Sequence, residues 1–208
     1  KFMNAGQTCI APDYVLVDSV IEEKFLEAVK KTIEKERFAI ENDNYVQIID
    51  AKNFERLQAM ITDEHTYCGG KMVATERYIE PTVLYNVDFD HVSMKEEIFG
   101  PILPVLTYTN LDDAIYSVKQ LPKPLAAYVF TSLKRNRKKV LDRLSFGGGM
   151  VNDAVMHITN SNIPYGGVGA SGTGSYHGKA GFDVFSHHKS IVEKGTWIEL
   201  PLKYFPLH

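Results

Sequence analysis

The apolar positions of the first forty or so residues predict a strand followed by a helix. Tyr14–Val17 is an unbroken apolar run of strand length. The helix is predicted over Val20–Arg37, and its apolar face consists of Ile21, Phe25, Val29 and Ile33. A strand that leads directly into an amphipathic helix is the first half of a crossover unit.

From residue 102 onward, strand-like and helix-like segments alternate. The predicted elements are a strand over Ile102–Tyr108, a helix over Leu111–Leu121 capped by Asn110, a strand over Leu125–Thr131, a helix from the cap residue Ser132 to about Phe146, and a strand over Met150–Asn152. Glycines 147–149 are predicted to end the second helix. The alternation predicts an α/β fold, with a mostly parallel sheet and helices on both of its faces.

The remaining segments have less regular patterns. We predict a helix over Val46–Ile61, a turn at Cys68–Gly70, strands around Lys71–Ala74 and Tyr78–Leu84, and a long ordered loop over Pro164–Gly181, where seven glycines occur. Pro81 limits the strand that contains it to a sheet edge or a bulge. A β-prone segment begins at Ser190 and an extended arm covers Leu200–Pro206. A lone terminal strand needs a neighbour, so we predict a C-terminal oligomerisation arm.

Composition and charge exclude several classes of protein. The 208 residues are 44% hydrophobic and 24% charged with a net charge of -3, which is globular and gives no basic surplus to attract nucleic acid. No apolar run reaches the roughly 20 residues of a membrane helix. Two cysteines are too few for a disulfide framework and favour a reducing compartment, which we predict to be the cytoplasm. The chain begins at Lys1 without a leader, so we expect it to be a fragment.

The first candidate for chemistry is Cys9, in the segment Phe2-Met3-Asn4-Ala5-Gly6-Gln7-Thr8-Cys9. A single cysteine is more often a small buried hydrophobic residue than a nucleophile. Here Gly6 permits a tight turn. We expect the polar side chains of Asn4, Gln7 and Thr8 to surround the thiol. A thiol on such a turn can lie exposed at a cleft, with its own backbone N–H directed at a developing oxyanion.

The second candidate is Lys95-Glu96-Glu97-Ile98-Phe99-Gly100-Pro101. Ser93 and Glu96 have the spacing of a capping box, so a short helical turn is the simplest interpretation. Two adjacent carboxylates followed by an aromatic residue also suit a grip on a ribose and a flat ring. Taken alone, this second pattern is weak.

Together, these segments strongly resemble the aldehyde dehydrogenase superfamily. The resemblance rests on Gly6-Gln7-Thr8-Cys9, on Glu96-Glu97-Ile98-Phe99-Gly100-Pro101, and on Pro164-Tyr165-Gly166-Gly167 with Ser171-Gly172. Three more segments look like the class 3 branch: Lys123-Pro124-Leu125-Ala126, Ser175-Tyr176-His177-Gly178-Lys179 and Phe185-Ser186-His187-His188-Lys189-Ser190. The resemblance covers essentially the whole chain as the C-terminal catalytic half of such an enzyme.

The resemblance implies roles for individual residues. Cys9 matches the nucleophile, whose thiolate attacks an aldehyde and forms a thiohemiacetal and then a thioester that water hydrolyses. Glu97 matches the residue that holds the nicotinamide ribose of NAD or NADP, and Phe99 the one that packs near the nicotinamide. Asn152, Tyr165 and His177 fall in segments that line the substrate funnel of relatives.

The resemblance also implies a division of the chain and a missing part. Residues 1–188 would be the catalytic domain, and residues 189–208 the oligomerisation strand and tail that form a homodimer. No G-x-G-x-x-G stands between a strand and a helix, and relatives carry their cofactor-binding domain before the nucleophile. We therefore expect that domain to be absent from this chain and the chain alone to be inactive.

Three alternatives remain. One is a catalytically silent relative or an interaction module, which the intact nucleophile and carboxylate motifs disfavour. Another is a metal site built from His177, His187, His188 and Cys9, but no Cys/His pair has zinc spacing and we expect no metal. A third is another branch, such as a semialdehyde or CoA-acylating enzyme. The basic run in Lys134–Arg143 is best explained as a solvated helix face.

Overall fold

A computed structural model describes residues 1–199 of the chain. The helices are α1 (Glu22–Glu36), α2 (Ala51–Gln58), α3 (Leu111–Gln120), α4 (Lys134–Arg143) and α5 (Gly178–Val184). The strands are β1 (Val15–Asp18), β2 (Thr66–Cys68), β3 (Met72–Val73), β4 (Tyr78–Ile79), β5 (Thr82–Leu84), β6 (Ile102–Tyr108), β7 (Ala126–Val129) and β8 (Gly148–Val151). Short 3-10 turns join several of these elements.

The sheets are mostly parallel, as the alternation of strands and helices predicts. The main sheet has the order β1-β6-β5-β2, in which β6 pairs in parallel with β1 and β5, and β2 is antiparallel to β5. A second sheet pairs β7 with β8 in parallel, and β3 and β4 form an antiparallel pair. The predicted fold class is confirmed.

Strand β6 forms the centre of the core and has the predicted bounds. Residues 102–106 of this strand are all buried. One apolar cluster contains Ile102 and Leu106 together with residues of α2, and the other contains Leu103 and Val105 together with Leu26 of α1. Alternate residues of β6 therefore pack into different clusters, because successive side chains of a strand point to opposite faces.

Helix α1 confirms the predicted amphipathic helix, although it begins at Glu22 rather than at Val20. Asp18 accepts a hydrogen bond from the backbone N–H of Val20, which starts a 3-10 turn before the helix. The helix ends where Arg37 takes a left-handed conformation with φ 49°. Helix α3 likewise begins as predicted, because the Asn110 side chain accepts a hydrogen bond from the N–H of Asp112.

Several predicted boundaries in the middle of the chain are wrong. Helix α2 begins at Ala51 rather than at Val46, because Asp50 caps it by accepting from the N–H of Asn53 at 2.7 Å. Cys68 is the last residue of β2 rather than part of a turn. The strand predicted over Tyr78–Leu84 is divided at Pro81 into β4 and β5, and β5 is an interior strand.

The glycines at 147–149 do not simply end a helix. Helix α4 already ends at Arg143, and Gly148 and Gly149 belong to β8. A Cβ at position 149 would overlap the carbonyl oxygen of Ala127 in the neighbouring strand and lie 3.0 Å from its carbonyl carbon. Close approach of the two strands therefore requires this glycine. Ser132 is not the cap of α4 either, since Leu133 takes that place without a capping side chain.

The C-terminal part of the described chain is mainly irregular. The predicted loop over Pro164–Gly181 is closed by a pair of backbone hydrogen bonds between Tyr165 and Tyr176, and its end belongs to α5. Residues 186–199 form no helix or strand, so the strand expected from Ser190 is not formed within this single chain. The predicted arm over Leu200–Pro206 lies outside the described residues. Within residues 1–199, no helix has the length and apolar character needed to cross a membrane.

Candidate active site

The segment before Cys9 folds into a left-handed turn. Asn4, Ala5 and Gly6 have φ values of 53°, 51° and 72°, and Ala5 is fully buried. The Asn4 amide donates to the carbonyl of Gln7 at 3.0 Å, and the N–H of Gln7 donates back to the carbonyl of Asn4. These bonds satisfy the backbone of the turn and fix the direction in which the chain enters Cys9.

The Gln7 side chain attaches this turn to the segment before α2. Its Nε2 donates to the carbonyl of Gln47 at 3.2 Å, and its Oε1 accepts from the N–H of Ile49 at 2.9 Å. The amide of Gln7 therefore acts as a structural tie, whereas the sequence suggested that it surrounds the thiol. This use of Gln7 is not visible in the sequence, because its partners lie about forty residues away.

Cys9 is an exposed free cysteine, as predicted for a nucleophile at a cleft. Its Sγ lies 3.3 Å from the hydroxyl oxygen of Tyr165, which stands in the glycine-rich loop. The residue after it, Ile10, is buried, and its carbonyl accepts a hydrogen bond of 2.7 Å from the hydroxyl of Tyr128 in β7. The thiol therefore lies between the second sheet and the glycine-rich loop.

Of the three predicted pocket residues, the structure brings Tyr165 and His177 together, and Tyr165 contacts Cys9. Their rings stack with centroids 5.2 Å apart and an interplanar angle of 18°. Asn152 lies at the end of β8 with φ 59°, and its side chain accepts from the N–H of Thr131 at 2.8 Å. The described hydrogen bonds of Asn152 thus serve the end of β7 and do not reach Cys9. Its role in the pocket stays a prediction.

Next to Tyr165, the glycine-rich loop borders a groove of about 600 Å³. The groove is lined by Leu125, Tyr165, Gly166, Gly167, Ser171, Gly172, Thr173, Gly174, Ser175, Tyr176, Gly181, Val184 and Phe185. Gly166 and Gly167 fit closely there, because a Cβ at position 166 would lie 2.7 Å from the Cα of Ser175 and a Cβ at position 167 would lie 2.6 Å from the nitrogen of Gly172. The glycines therefore allow backbone to pack on backbone.

The second motif forms a turn that other elements hold in place. Asp13 accepts a hydrogen bond of 2.9 Å from the N–H of Ile98. The guanidinium of Arg56 in α2 donates to the carbonyls of Glu97 at 3.2 Å and of Ile98 at 2.6 Å. Ile98 is fully buried, while the carboxylate side chain of Glu97 keeps an exposed surface. The turn therefore has a fixed backbone and a carboxylate free to accept hydrogen bonds from a ligand.

The capping box proposed for Ser93 and Glu96 is wrong. A short 3-10 turn does form at Val92–Met94, but its cap is His91, whose Nδ1 accepts from the N–H of Ser93 at 3.2 Å. Glu96 instead pairs with Arg56 at 3.4 Å. Phe99 follows with φ 45° and is 41% exposed, so its ring has an open surface against which a flat ligand could pack.

Charges around the turn shift the pKa of Glu97 in opposite directions. Partial burial raises the pKa of the Glu97 carboxyl, and the negative charge of Asp13 raises it further, while Lys1 and Arg56 act to lower it. Burial likewise raises the pKa of Asp13, which the hydrogen bond from Ile98 counters. Arg56 thus offsets the repulsion between two neighbouring carboxylates in addition to holding the backbone.

The two motifs are in direct contact. A Cβ at Gly6 would overlap the carbonyl oxygen of Gly100 and lie 2.7 Å from its carbonyl carbon. A Cβ at Gly100 would in turn lie 2.5 Å from the side chain of Leu57. The turn that carries Cys9 therefore packs backbone to backbone on the turn that carries Glu97 and Phe99.

We predict that Arg56→Ala lowers the free energy of unfolding by about 1–3 kcal/mol, since it removes two charge-assisted hydrogen bonds to carbonyls. The ion pair with the exposed Glu96 adds little to this value. Urea unfolding followed by circular dichroism measures the change. Lys95→Ala is the matched control because its ion pair with Asp90 is exposed, and it should cost less than about 0.5 kcal/mol. Equal losses in the two variants would show that the hydrogen bonds of Arg56 do not stabilise the turn.

Sequence reasoning missed three residues of this site: Asp13, Arg56 and His157, whose ring lies 6.2 Å from that of Tyr165. Asp13 and Arg56 lie 85 and 42 residues from Ile98, so no local pattern connects them to it. Across residues 1–199, no group of three or more His, Cys, Asp or Glu side chains could hold a metal ion. The alternative of a metal site built from His177, His187, His188 and Cys9 has no support in that part of the chain.

Comparison with known proteins decides the family. The model of the Aldehyde dehydrogenase family matches residues 1–191. The chain belongs to the aldehyde dehydrogenase family. The resemblance stated from the motifs is therefore confirmed, and Cys9, Glu97 and Phe99 all lie within the matched residues.

The relatives also support the class 3 branch. Aldehyde dehydrogenase family 3 member A2 of Mus musculus is 44% identical over 199 residues, which are 94% of this chain and 41% of that protein. The Bos taurus protein named "Aldehyde dehydrogenase, dimeric NADP-preferring" is 43% identical over 206 residues, 98% of this chain and 86% of that one. A structure of Staphylococcus aureus AldH in a substrate-bound state is 44% identical with a TM-score of 0.91, and the match covers 97% of this chain and 45% of that one. The chain thus spans less than half the length of the mouse and staphylococcal proteins.

Proposed function

We propose that this chain carries the nucleophile and the nicotinamide-ribose contact of an NAD(P)-dependent aldehyde dehydrogenase that converts an aldehyde to a carboxylic acid. The observation that carries the proposal is the contact between Gly6 and Gly100, since it packs the turn of the exposed Cys9 thiol on the turn of Glu97 and Phe99. Membership of the family supports the same assignment.

In the proposed reaction, the Cys9 thiolate attacks the carbonyl carbon of the aldehyde. A carbon–sulfur bond forms, the carbonyl π electrons move to oxygen, and the product is a thiohemiacetal. The backbone N–H of Cys9 is proposed to stabilise the developing oxyanion. Collapse of the thiohemiacetal expels a hydride and leaves a thioester on Sγ. Water then attacks the thioester carbon, the carbon–sulfur bond breaks, and the acid and the free thiol are released.

NAD or NADP, when bound, supplies the acceptor for this hydride. The residues present fit a nicotinamide nucleoside, because Glu97 offers an exposed carboxylate for ribose hydroxyls and Phe99 an open aromatic face. The Bos taurus relative is named NADP-preferring, and we propose that the contacts that choose between NAD and NADP lie outside these 208 residues. We propose that a domain outside these 208 residues binds most of the cofactor, and that the 208 residues alone are inactive.

We further propose that the enzyme is a homodimer, in which a strand near Ser190–Lys194 pairs with a second copy. Ile191 and Val192 are 73% and 94% exposed in the single chain, so their apolar side chains lack the packing that a dimer would supply. The boundary at residue 188 and the cytoplasmic location stay predictions. Tyr165 and His177 are proposed to line the entrance for the aldehyde beside Cys9.

The proposed function is tested on the full-length protein that contains this chain. Formation of NADH or NADPH is followed by absorbance with a series of medium-chain and aromatic aldehydes. We expect turnover with at least one aldehyde, and mass spectrometry of the quenched reaction should show an acyl group on the peptide that contains Cys9. Coenzyme A is added as a control, because a CoA-acylating enzyme would release acyl-CoA instead of acid. Absence of turnover with every aldehyde and both cofactors would favour the catalytically silent relative.

A further inference from the structure

The hydroxyl of Tyr165 contacts the proposed nucleophile directly. The oxygen lies 3.3 Å from Cys9 Sγ, although 156 residues separate the two in sequence. Among the described hydrogen bonds, this is the one that Cys9 Sγ makes. The neighbouring phenol of Tyr128 is directed elsewhere, since it donates to the carbonyl of Ile10 at 2.7 Å.

The ring of Tyr165 is held in place by several neighbours. Its backbone N–H and carbonyl pair with those of Tyr176 at 2.8 and 2.9 Å. His177 stacks on the ring at 5.2 Å, the Tyr176 ring packs edge-on at 5.8 Å, and the ring of His157 lies at 6.2 Å. A side chain packed in this way loses little further freedom when its hydroxyl makes a hydrogen bond. The contact with Sγ is therefore pre-formed.

The proton of this contact belongs to the oxygen when the thiol ionises. Burial raises the pKa of Tyr165 above its usual value near 10, and the contact with Cys9 raises it further. A free thiol ionises at lower pH, near 8.5. The phenol therefore remains a neutral O–H donor over the pH range in which the thiol first ionises.

We infer that Tyr165 is a catalytic residue whose hydroxyl donates a hydrogen bond to the Cys9 thiolate. This bond increases the fraction of Cys9 that is present as the reactive thiolate. The inference rests on the proposed function of Cys9. Hydrogen bonding to the charged form of a group favours that form. The titratable side chains around the pair are Tyr128, His157, Tyr176 and His177.

The buried His157 is consistent with this role for Tyr165. The ring of His157 is 8% exposed, and neither of its nitrogens has a hydrogen-bond partner in the described structure. Burial lowers the pKa of His157, so the ring is neutral near pH 7. It packs against Tyr128 at 5.8 Å and against Tyr165. His157 therefore packs against this side of the site as a neutral ring. It adds no positive charge that would stabilise the Cys9 thiolate in place of the Tyr165 hydroxyl.

The test compares Tyr165→Phe with the wild type in the full-length protein. This variant keeps the aromatic ring and removes only the hydroxyl oxygen. The rate of Cys9 alkylation by iodoacetamide is measured against pH, with the modified peptide identified by mass spectrometry. At neutral pH we expect the variant to react about two- to threefold more slowly, since the smaller thiolate fraction outweighs the greater nucleophilicity of each thiolate. At high pH it should react about two- to threefold faster, because a more basic thiolate is the stronger nucleophile. The two profiles therefore cross.

Tyr116→Phe is the matched control, because Tyr116 is 66% exposed on α3, and its profile should coincide with that of the wild type. Circular dichroism checks folding, and the ultraviolet absorbance of the thiolate, taken as the difference from Cys9→Ala, gives a second measurement of its amount. Coinciding profiles for Tyr165→Phe and wild type, or a variant that reacts faster at every pH, would overturn the inference. Failure of Cys9→Ala to stop aldehyde oxidation would instead contradict the proposed function, because alkylation does not depend on turnover.

Discussion

Replacing Cys9 with alanine is expected to lower kcat for aldehyde oxidation by the full-length protein at least about 10⁴-fold, because the covalent route through the thiohemiacetal is lost. The exposed thiol is the group that the two contacting turns present, and alanine offers no nucleophile in its place. Stability should change by less than about 1 kcal/mol, since an exposed side chain is shortened by one atom. Aldehyde-dependent absorbance of the reduced nicotinamide measures the rate, and urea unfolding measures the stability.

Cys68→Ala is the control for this prediction. Cys68 is partly buried at the end of β2, and burial raises the pKa of its thiol, so it is a poor nucleophile at neutral pH. We expect this variant to keep its rate within about twofold of the wild type. A Cys9→Ala protein that retained normal turnover would exclude Cys9 as the nucleophile, whereas loss of activity in both variants would indicate a general effect of cysteine removal.

The segments of Cys9 and of Glu97 could be recognised as candidates because each is short and contiguous. Gly6-Gln7-Thr8-Cys9 contains both the turn-forming glycine and the thiol, and Glu97 and Phe99 stand together in the second segment. The groups that hold these segments could not be predicted in the same way. Arg56 reaches Glu97 and Ile98 from the middle of an amphipathic helix, where an arginine is an ordinary solvated residue. Only folding shows that its guanidinium turns inward.

The start of α3 is predicted correctly, whereas the Asp50 cap of α2 is missed and the predicted Ser132 cap of α4 is wrong. Asn110 begins α3, and its predicted hydrogen bond is the one observed. Glycines were harder to interpret, because a glycine serves either a positive φ or a close approach of two backbones. The sequence predicts that Gly149 ends a helix, yet it is in β8, where the neighbouring strand leaves no room for a Cβ. Nothing in the sequence distinguishes these two uses.

Gly6 has both a positive φ and a close backbone neighbour. Gly6→Ala is therefore expected to lower the free energy of unfolding by about 2–5 kcal/mol, from left-handed strain together with overpacking. Its φ is 72°, and a Cβ there would overlap the backbone carbonyl of Gly100. Because that carbonyl is main chain, it cannot rotate away as a flexible side chain would. The turn of Cys9 and the turn of Glu97 must then move apart, so aldehyde oxidation should fall more than stability alone would explain.

Gly174→Ala separates strain from overlap. Gly174 has a similar φ of 77°, but a Cβ there would meet nothing within 4 Å. We expect a loss of only about 1–2 kcal/mol, from left-handed strain alone. Urea unfolding measures the loss of free energy of unfolding in both variants. The difference between the two losses is the cost of the overlap with Gly100. If Gly6→Ala cost no more than Gly174→Ala, the two turns would not be packed as described. The loss of activity beyond what the lost stability explains then measures how strongly the position of the proposed nucleophile depends on the carboxylate turn, because Cys9 and Glu97 themselves are unchanged.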